Sequence, residues 1–313
     1  MNAPERKACR IIKNERIADD IFELVIAATD ITEAATPGQF VNIYLPGGAM
    51  LLPRPISIAG VDRSTGEVSL IYAIVGDGTK VLSTLDPSTG ANASIQSANF
   101  IDALGPLGTG FLDYSKEINI GKVILIGGGV GVPPLLFAAK RLRETLGSGI
   151  EIKAILGYRG SPWLEDRFSE ICDDVSTISE NPSAQNSHEP NISVSAHHAQ
   201  KPQTQAGNVI DLLDLKRDEI IPKNKTLALS CGPKPMLAAV AAWCKLNEID
   251  LRVSLEERMG CGYGACAGCT TKTRPLNNDE KPQAGPNKAG EDGIIKKKIC
   301  VHGPVFWADE VVW

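Results

Sequence analysis

The chain has 313 residues, room for two or three domains at ~150 residues each. Its 43% hydrophobic and 22% charged residues exclude a disordered or fibrous protein. With 37 acidic against 32 basic side chains, the net charge of −5 offers no basic footprint for nucleic acid, and Lys296-Lys297-Lys298 is too short a run to supply one.

No apolar signal core opens the chain, and four of its eight cysteines (Cys9, Cys172, Cys231, Cys244) are scattered rather than framework-like, which points to a reducing cytoplasm. Residues 34–53 are uncharged but broken by Pro37, Pro46 and Pro53, and residues 123–139 are short and glycine-rich, so neither reads as a membrane span.

From residue 8 to about 75, short apolar runs such as Ile21-Phe22-Glu23-Leu24-Val25-Ile26 and Phe40-Val41-Asn42-Ile43-Tyr44-Leu45 are punctuated by Pro37-Gly38 and Pro46-Gly47-Gly48. The spacing predicts a small antiparallel barrel. Arg54-Pro55-Ile56-Ser57 follows a β-like run, and Ile71-Tyr72-Ala73 precedes Gly76-Asp77-Gly78-Thr79 at the start of a helical stretch. An arginine fork suits a pyrophosphate, and a Gly-Thr pair opening a helix offers unpaired N–H groups and a hydroxyl to the same anion. A glycine corner, Leu104-Gly105-Pro106-Leu107-Gly108-Thr109-Gly110-Phe111, comes next.

Residues 119–247 change character. The apolar run Lys122-Val123-Ile124-Leu125-Ile126, a glycine turn, a helical pattern over residues 135–142 and a second strand over residues 151–156 predict a parallel α/β sheet. The turn Gly127-Gly128-Gly129-Val130-Gly131-Val132-Pro133-Pro134 lies between strand and helix, where backbone N–H groups can meet a pyrophosphate; a plain strand-to-helix corner is the other reading. Ser230-Cys231-Gly232-Pro233 follows the strand Thr226-Leu227-Ala228-Leu229, and Cys231 also reads as a buried inert thiol. Arg159 could meet a 2′-phosphate and Glu180 a ribose hydroxyl, so the residues leave NAD and NADP both open. Residues 179–205, which hold His188, His197 and His198, and residues 273–292 are polar inserts expected to be mobile loops.

Cys261, Cys266, Cys269 and Cys300 form a C-x4-C-x2-C…C pattern, the plant-type spacing for a [2Fe-2S] cluster. Gly260, Gly262, Gly264 and Gly268 suit a loop that must aim bare N–H groups at sulfur. A four-thiolate zinc site and unligated buried cysteines are the alternatives.

In this order the motifs resemble the ferredoxin reductase-like flavoproteins, in which R-x-x-S and G-T flank FAD and a C-G-P segment sets a cysteine beside the nicotinamide. The resemblance implies FAD contacts at Arg54, Pro55, Ile56, Ser57, Ile71, Tyr72, Ala73, Gly78 and Thr79, with Ser57 near the reactive edge of the flavin ring. It implies NAD contacts at Gly127, Gly128, Gly129, Gly131, Cys231 and Gly232. With the cysteine loop, the segment Ser254-Leu255-Glu256-Glu257-Arg258-Met259 and the tail Cys300-Val301-His302-Gly303-Pro304-Val305-Phe306, the chain resembles the electron-transfer subunits of class 1B dihydroorotate dehydrogenases over nearly its whole length. The implied fold is multidomain β plus α/β: an antiparallel FAD-binding β-barrel (1–115), a parallel-sheet NAD-binding domain (116–250) and a small C-terminal [2Fe-2S] domain (251–313).

The implied role is relay of electrons from the FMN of a catalytic partner to NAD+ in pyrimidine synthesis, in a two-plus-two heterotetramer, with no catalytic base on this chain. The sequence departs from that family in its two inserts, in the long gap before Cys300, and at Ala73, where a basic residue is common. Rival readings are the small subunit of a ferredoxin:NADP oxidoreductase or sulfide dehydrogenase, and a non-enzymatic zinc-knot scaffold.

Overall fold

The computed structural model describes residues 5–46, 50–87, 99–111, 120–181, 193–194, 206–221, 225–276 and 293–313. The chain divides into two units, residues 1–110 with 256–305, and residues 111–255 with 306–313.

In the first unit, β1 (Lys7–Ala18), β2 (Ile21–Ala27), β3 (Phe40–Tyr44), β4 (Arg54–Asp62), β5 (Glu67–Ala73) and β6 (Phe100–Leu107) close into a barrel, with α1 (Thr29–Ala34) and α2 (Asp77–Ser83) between strands. Strand order is β1-β2-β5-β4-β3-β6, and β6 returns to pair with β1, so no edge is left open. Alternating apolar side chains put Leu24, Ile26, Ile43, Ile58, Leu70 and Ile101 in the barrel core. Strand β3 runs along the Arg54–Ser57 segment: Phe40 pairs with Ser57, Val41 with Ile56, Asn42 with Pro55 and Ile43 with Arg54.

The same unit carries the hairpin of β13 (Thr270–Thr273) and β14 (Ile295–Lys298), followed by the one-turn helix α8 (Ile299–His302). Within the unit, Thr109 of the glycine corner bridges to Pro304 and its N–H donates to the Gly303 carbonyl.

The second unit holds β7 (Lys122–Gly128), α3 (Val132–Leu146), β8 (Glu151–Tyr158), α4 (Glu165–Ser169), β9 (Asp174–Ser179), β10 (Ser193–Val194), α5 (Val209–Leu215), α6 (Arg217–Ile220), β11 (Thr226–Cys231), α7 (Lys234–Leu246) and β12 (Asp250–Ser254). Together with β15 (Val305–Trp307), the strands form one sheet of order β10-β9-β8-β7-β11-β12-β15. Strands β7 and β11 are almost wholly buried, as central parallel strands must be. The chain steps outward from β7 through β8 to β9, then returns to lay β11 against the other side of β7. That reversal creates a topological switch point at the carboxyl ends of β7 and β11, where ligands of open α/β sheets bind.

The barrel and the parallel sheet fulfil the expected fold class. The first polar insert departs from a plain loop at Ser193–Val194, which pairs antiparallel with Ser176 and Thr177 and caps the sheet edge. Polarity gave no sign of it, because an edge strand two residues long needs no apolar face. The remainder of that insert (182–192 and 195–205), with its three histidines, and residues 277–292 of the second lie outside the described residues. Among the described residues no helix is long and apolar enough to cross a membrane.

Gly131 is needed for space rather than for a special backbone angle: its φ is −80°, and a Cβ there would strike the Cys231 carbonyl and the Gly232 nitrogen. Gly131→Ala forces the β7 turn away from β11, an overpacking cost of about 1–3 kcal/mol. Urea unfolding of the variant should show a lowered midpoint at unchanged slope.

Candidate redox sites

The cysteine loop leaves β12 and reaches Cys269 just before the β13–β14 hairpin. Thr270 pairs with Lys298 at the base of that hairpin, and the Ile299 N–H donates to the Cys269 carbonyl at 2.9 Å. Sheet register therefore sets Cys300 beside Cys269, with sulfurs 3.3 Å apart, whatever the length of the insert between the strands. The other two sulfurs, of Cys261 and Cys266, are 3.5 Å apart. All four are free of disulfides; Cys269 and Cys300 are buried and the other pair is half-buried.

Two close pairs suit a cluster of two irons, each taking two thiolates. A single tetrahedral zinc would need four sulfurs about one point, and among the described residues no three of His, Cys, Asp or Glu converge in that way. The donor set thus fits a [2Fe-2S] group.

The loop backbone fits it too. The Cys266 N–H donates to Cys261 Sγ at 3.3 Å and the Gly268 N–H to Cys266 Sγ at 3.5 Å. Three side chains hold carbonyls of the loop: Thr270 Oγ1 donates to Ala267 (2.7 Å), Asn42 Nδ2 to Cys261 (2.9 Å) and Lys298 Nζ to Gly264. Because the peptide is planar and trans, holding a carbonyl turns the N–H of the same peptide the opposite way. Gly262 and Gly264, at φ +75° and +91°, permit this winding. Burial raises the Cys261 thiol, but N–H groups of Cys266, Tyr263 and Ala265 and the Cys266 thiol reverse that and hold it at about 6. Burial, then the neighbouring Cys269, pushes Cys300 up to about 12.

The flavin motifs meet at the start of β4. A Cβ at Gly78 would strike the Arg54 guanidinium, so that glycine admits the arginine over the start of α2. Arg54 Nη1 donates to the Leu52 carbonyl at 2.8 Å. The Thr79 hydroxyl accepts the Val75 and Gly76 N–H groups and donates to the Gly76 carbonyl, closing the turn at the start of α2. Tyr72 is also occupied: its ring stacks on Phe22 and its hydroxyl donates to Asn14 Oδ1 at 3.0 Å, while Asn14 Nδ2 holds the Leu82 and Leu85 carbonyls at the end of α2. Ile56 and Ile71 are buried, Pro55 is exposed, and Ser57 and Ala73 are half-buried.

At the switch point Gly127 stands in register with Cys231. Besides Gly131, a Cβ on Gly128 or Gly232 would press on Met236, and one on Gly127 would press on Val132. Gly129, at φ +53°, has open space at its Cβ position and presents bare backbone. Helix α3 starts there without a side-chain cap; Pro133 and Pro134 in its first turn supply no N–H, so the backbone N–H groups on offer to an anion are those of the glycine turn that precedes them. Arg159 and Glu180 are neighbours at the ends of β8 and β9, where the Glu180 N–H donates to the Tyr158 carbonyl. Their positions favour neither nucleotide.

Sequence reading missed Asn42, Thr270 and Lys298. The last two lie one and two residues from ligand candidates and were findable; Asn42 is 219 positions from its partner and gave no local signal. Burial pushes Cys172 and Cys244 up to about 12, which marks them as inert thiols. Cys300→Ser should therefore abolish the iron-sulfur absorption of the anaerobically purified protein, while Cys244→Ser leaves it unchanged.

Residues 256–282 match the family model for the iron-sulfur cluster binding domain of dihydroorotate dehydrogenase B. The chain is 34% identical over 307 residues to the dihydroorotate dehydrogenase B (NAD(+)) electron transfer subunit of Bacillus cereus (strain G9842), covering 96% of both chains. The corresponding subunit of Bacillus anthracis (strain CDC 684 / NRRL 3495) matches at the same identity and coverage. Among solved structures, an NADH-dependent reduced ferredoxin-NADP oxidoreductase studied for flavin-based electron bifurcation is similar at TM-score 0.70 and 25% identity, over 97% of this chain and 90% of that one. The ferredoxin reductase in carbazole 1,9a-dioxygenase shares the fold at TM-score 0.59 and 17% identity, over 79% and 67%. Similarity at 34% identity across 96% of its length places this chain in the family of dihydroorotate dehydrogenase B electron transfer subunits.

Proposed function

We propose that this chain carries electrons from the FMN of a dihydroorotate dehydrogenase catalytic subunit to NAD+, in the cytoplasm and within a heterotetramer of two subunits of each kind. The observation that carries the reading is the cysteine arrangement. Two sulfur pairs stand in the same unit as the barrel that presents the Arg54–Ser57 segment, in a chain 96% of which aligns with the electron-transfer family. When bound, a [2Fe-2S] cluster exchanges single electrons and FAD one or two, which matches one-electron traffic to the hydride chemistry of NAD.

The chain's own residues hold and orient these groups. Cys261, Cys266, Cys269 and Cys300 would hold the cluster through their thiolates. Arg54, over Gly78, neutralises the FAD pyrophosphate, and Pro55, Ile56, Ser57, Ile71 and Ala73 shape the adjoining surface, with Ser57 toward the flavin ring. Tyr72, Gly78 and Thr79 act indirectly by fixing α2. Gly127, Gly128, Gly129 and Gly131 offer backbone to the NAD pyrophosphate, and Cys231 and Gly232 border the nicotinamide. By function the chain then reads as FAD (1–115), NAD (116–250) and cluster (251–313) segments. No residue here acts as a general base, because dihydroorotate would be oxidised on the partner.

Anaerobic co-purification tests the assignment. Capture of an FMN-bearing subunit, with dihydroorotate-dependent reduction of NAD+ that is lost when the two are separated, is the expected result. Activity only with ferredoxin or polysulfide would overturn it.

A further inference from the structure

Asn42 stands out among the polar residues of the barrel. It lies on β3, is fully buried, and its Oδ1 has no hydrogen-bond partner among the described residues. An unpaired buried acceptor is a cost that an apolar residue of similar size would avoid. What the amide provides in return is its donor, the 2.9 Å bond from Nδ2 to the Cys261 carbonyl. The fit is close: Gly262 takes φ +75°, and a Cβ there would strike the Asn42 amide, so the loop is wound tightly over this side chain.

Two relationships follow. Asn42 pairs with Pro55 on the adjacent strand β4, inside the Arg54–Ser57 segment assigned to the flavin. It also restrains the peptide that joins Cys261 to Gly262, and a planar trans peptide whose carbonyl is held by Asn42 presents the Gly262 N–H on the opposite side. Thr270 does the same to the peptide before Gly268, and there the freed N–H reaches Cys266 Sγ.

We propose that Asn42 is a positioning residue that fixes the first-ligand peptide of the cluster loop to the flavin strand and, through the direction of that peptide's N–H, raises the reduction potential of the cluster. N–H donors to sulfur stabilise the more negative, reduced cluster, which is one of the main ways a protein sets such potentials. The inference rests on the cluster assignment made above.

The test uses the full chain with its cluster and FAD in place. Redox titration followed by electron paramagnetic resonance gives the midpoint potential in the wild type, Asn42→Ala and Asn42→Leu, with FAD content and thermal midpoint measured alongside. At a fixed solution potential, both variants should show a reduced-to-oxidised ratio about tenfold lower, equal to ~59 mV for a one-electron couple. The uncharged Asn42→Leu is of similar size, keeps the packing and loses the donor without adding a charge, so its shift separates tuning from folding. Unchanged potentials in both variants, even with a lowered thermal midpoint, would overturn the proposal and leave Asn42 a core residue. A wild type without any cluster would instead refute the cluster assignment itself.

Discussion

A loop can surround an iron-sulfur cluster only if its peptide N–H groups turn toward sulfur, and they do so only if the carbonyls on the same peptides are satisfied elsewhere. In this chain Asn42, Thr270 and Lys298 hold three such carbonyls. Each comes from a regular strand: β3, β13 and β14 respectively. The loop itself has no regular structure, so its shape depends on rigid elements that surround it, the arrangement a preorganised site requires.

The hairpin β13–β14 answers the difficulty raised by the long gap before the fourth cysteine. Ligand geometry there is a property of strand register, and residues inserted at the far end of a hairpin do not alter the register at its base. The insert can lengthen without moving Cys300 away from Cys269. The switch point in the parallel sheet has a similar economy: the return of β11 to the flank of β7 brings two distant glycine segments together, and Gly131 lets their backbones touch.

Local patterns were legible in the sequence because they report on backbone demands. The alternation over residues 21–26 and 40–45, the glycines before α3 and the cysteine spacing each state a physical need within a few residues. What was illegible required three-dimensional register. The turn that the Thr79 hydroxyl closes and the bond by which the Tyr72 hydroxyl holds Asn14 below α2 have no local signature. Composition marked Ser193–Val194 as loop although an edge position makes it a strand. Asn42 sits in an ordinary β pattern and takes its meaning only from a partner 219 positions away.

The pairing of the four sulfurs is the centre of this account, and metal analysis tests it most directly. Anaerobically purified protein should contain about two irons and two acid-labile sulfides per chain, with one electron taken up per cluster, as a [2Fe-2S] group held by four thiolates requires. One zinc per chain, with no labile sulfide and no visible absorption from iron, would contradict it.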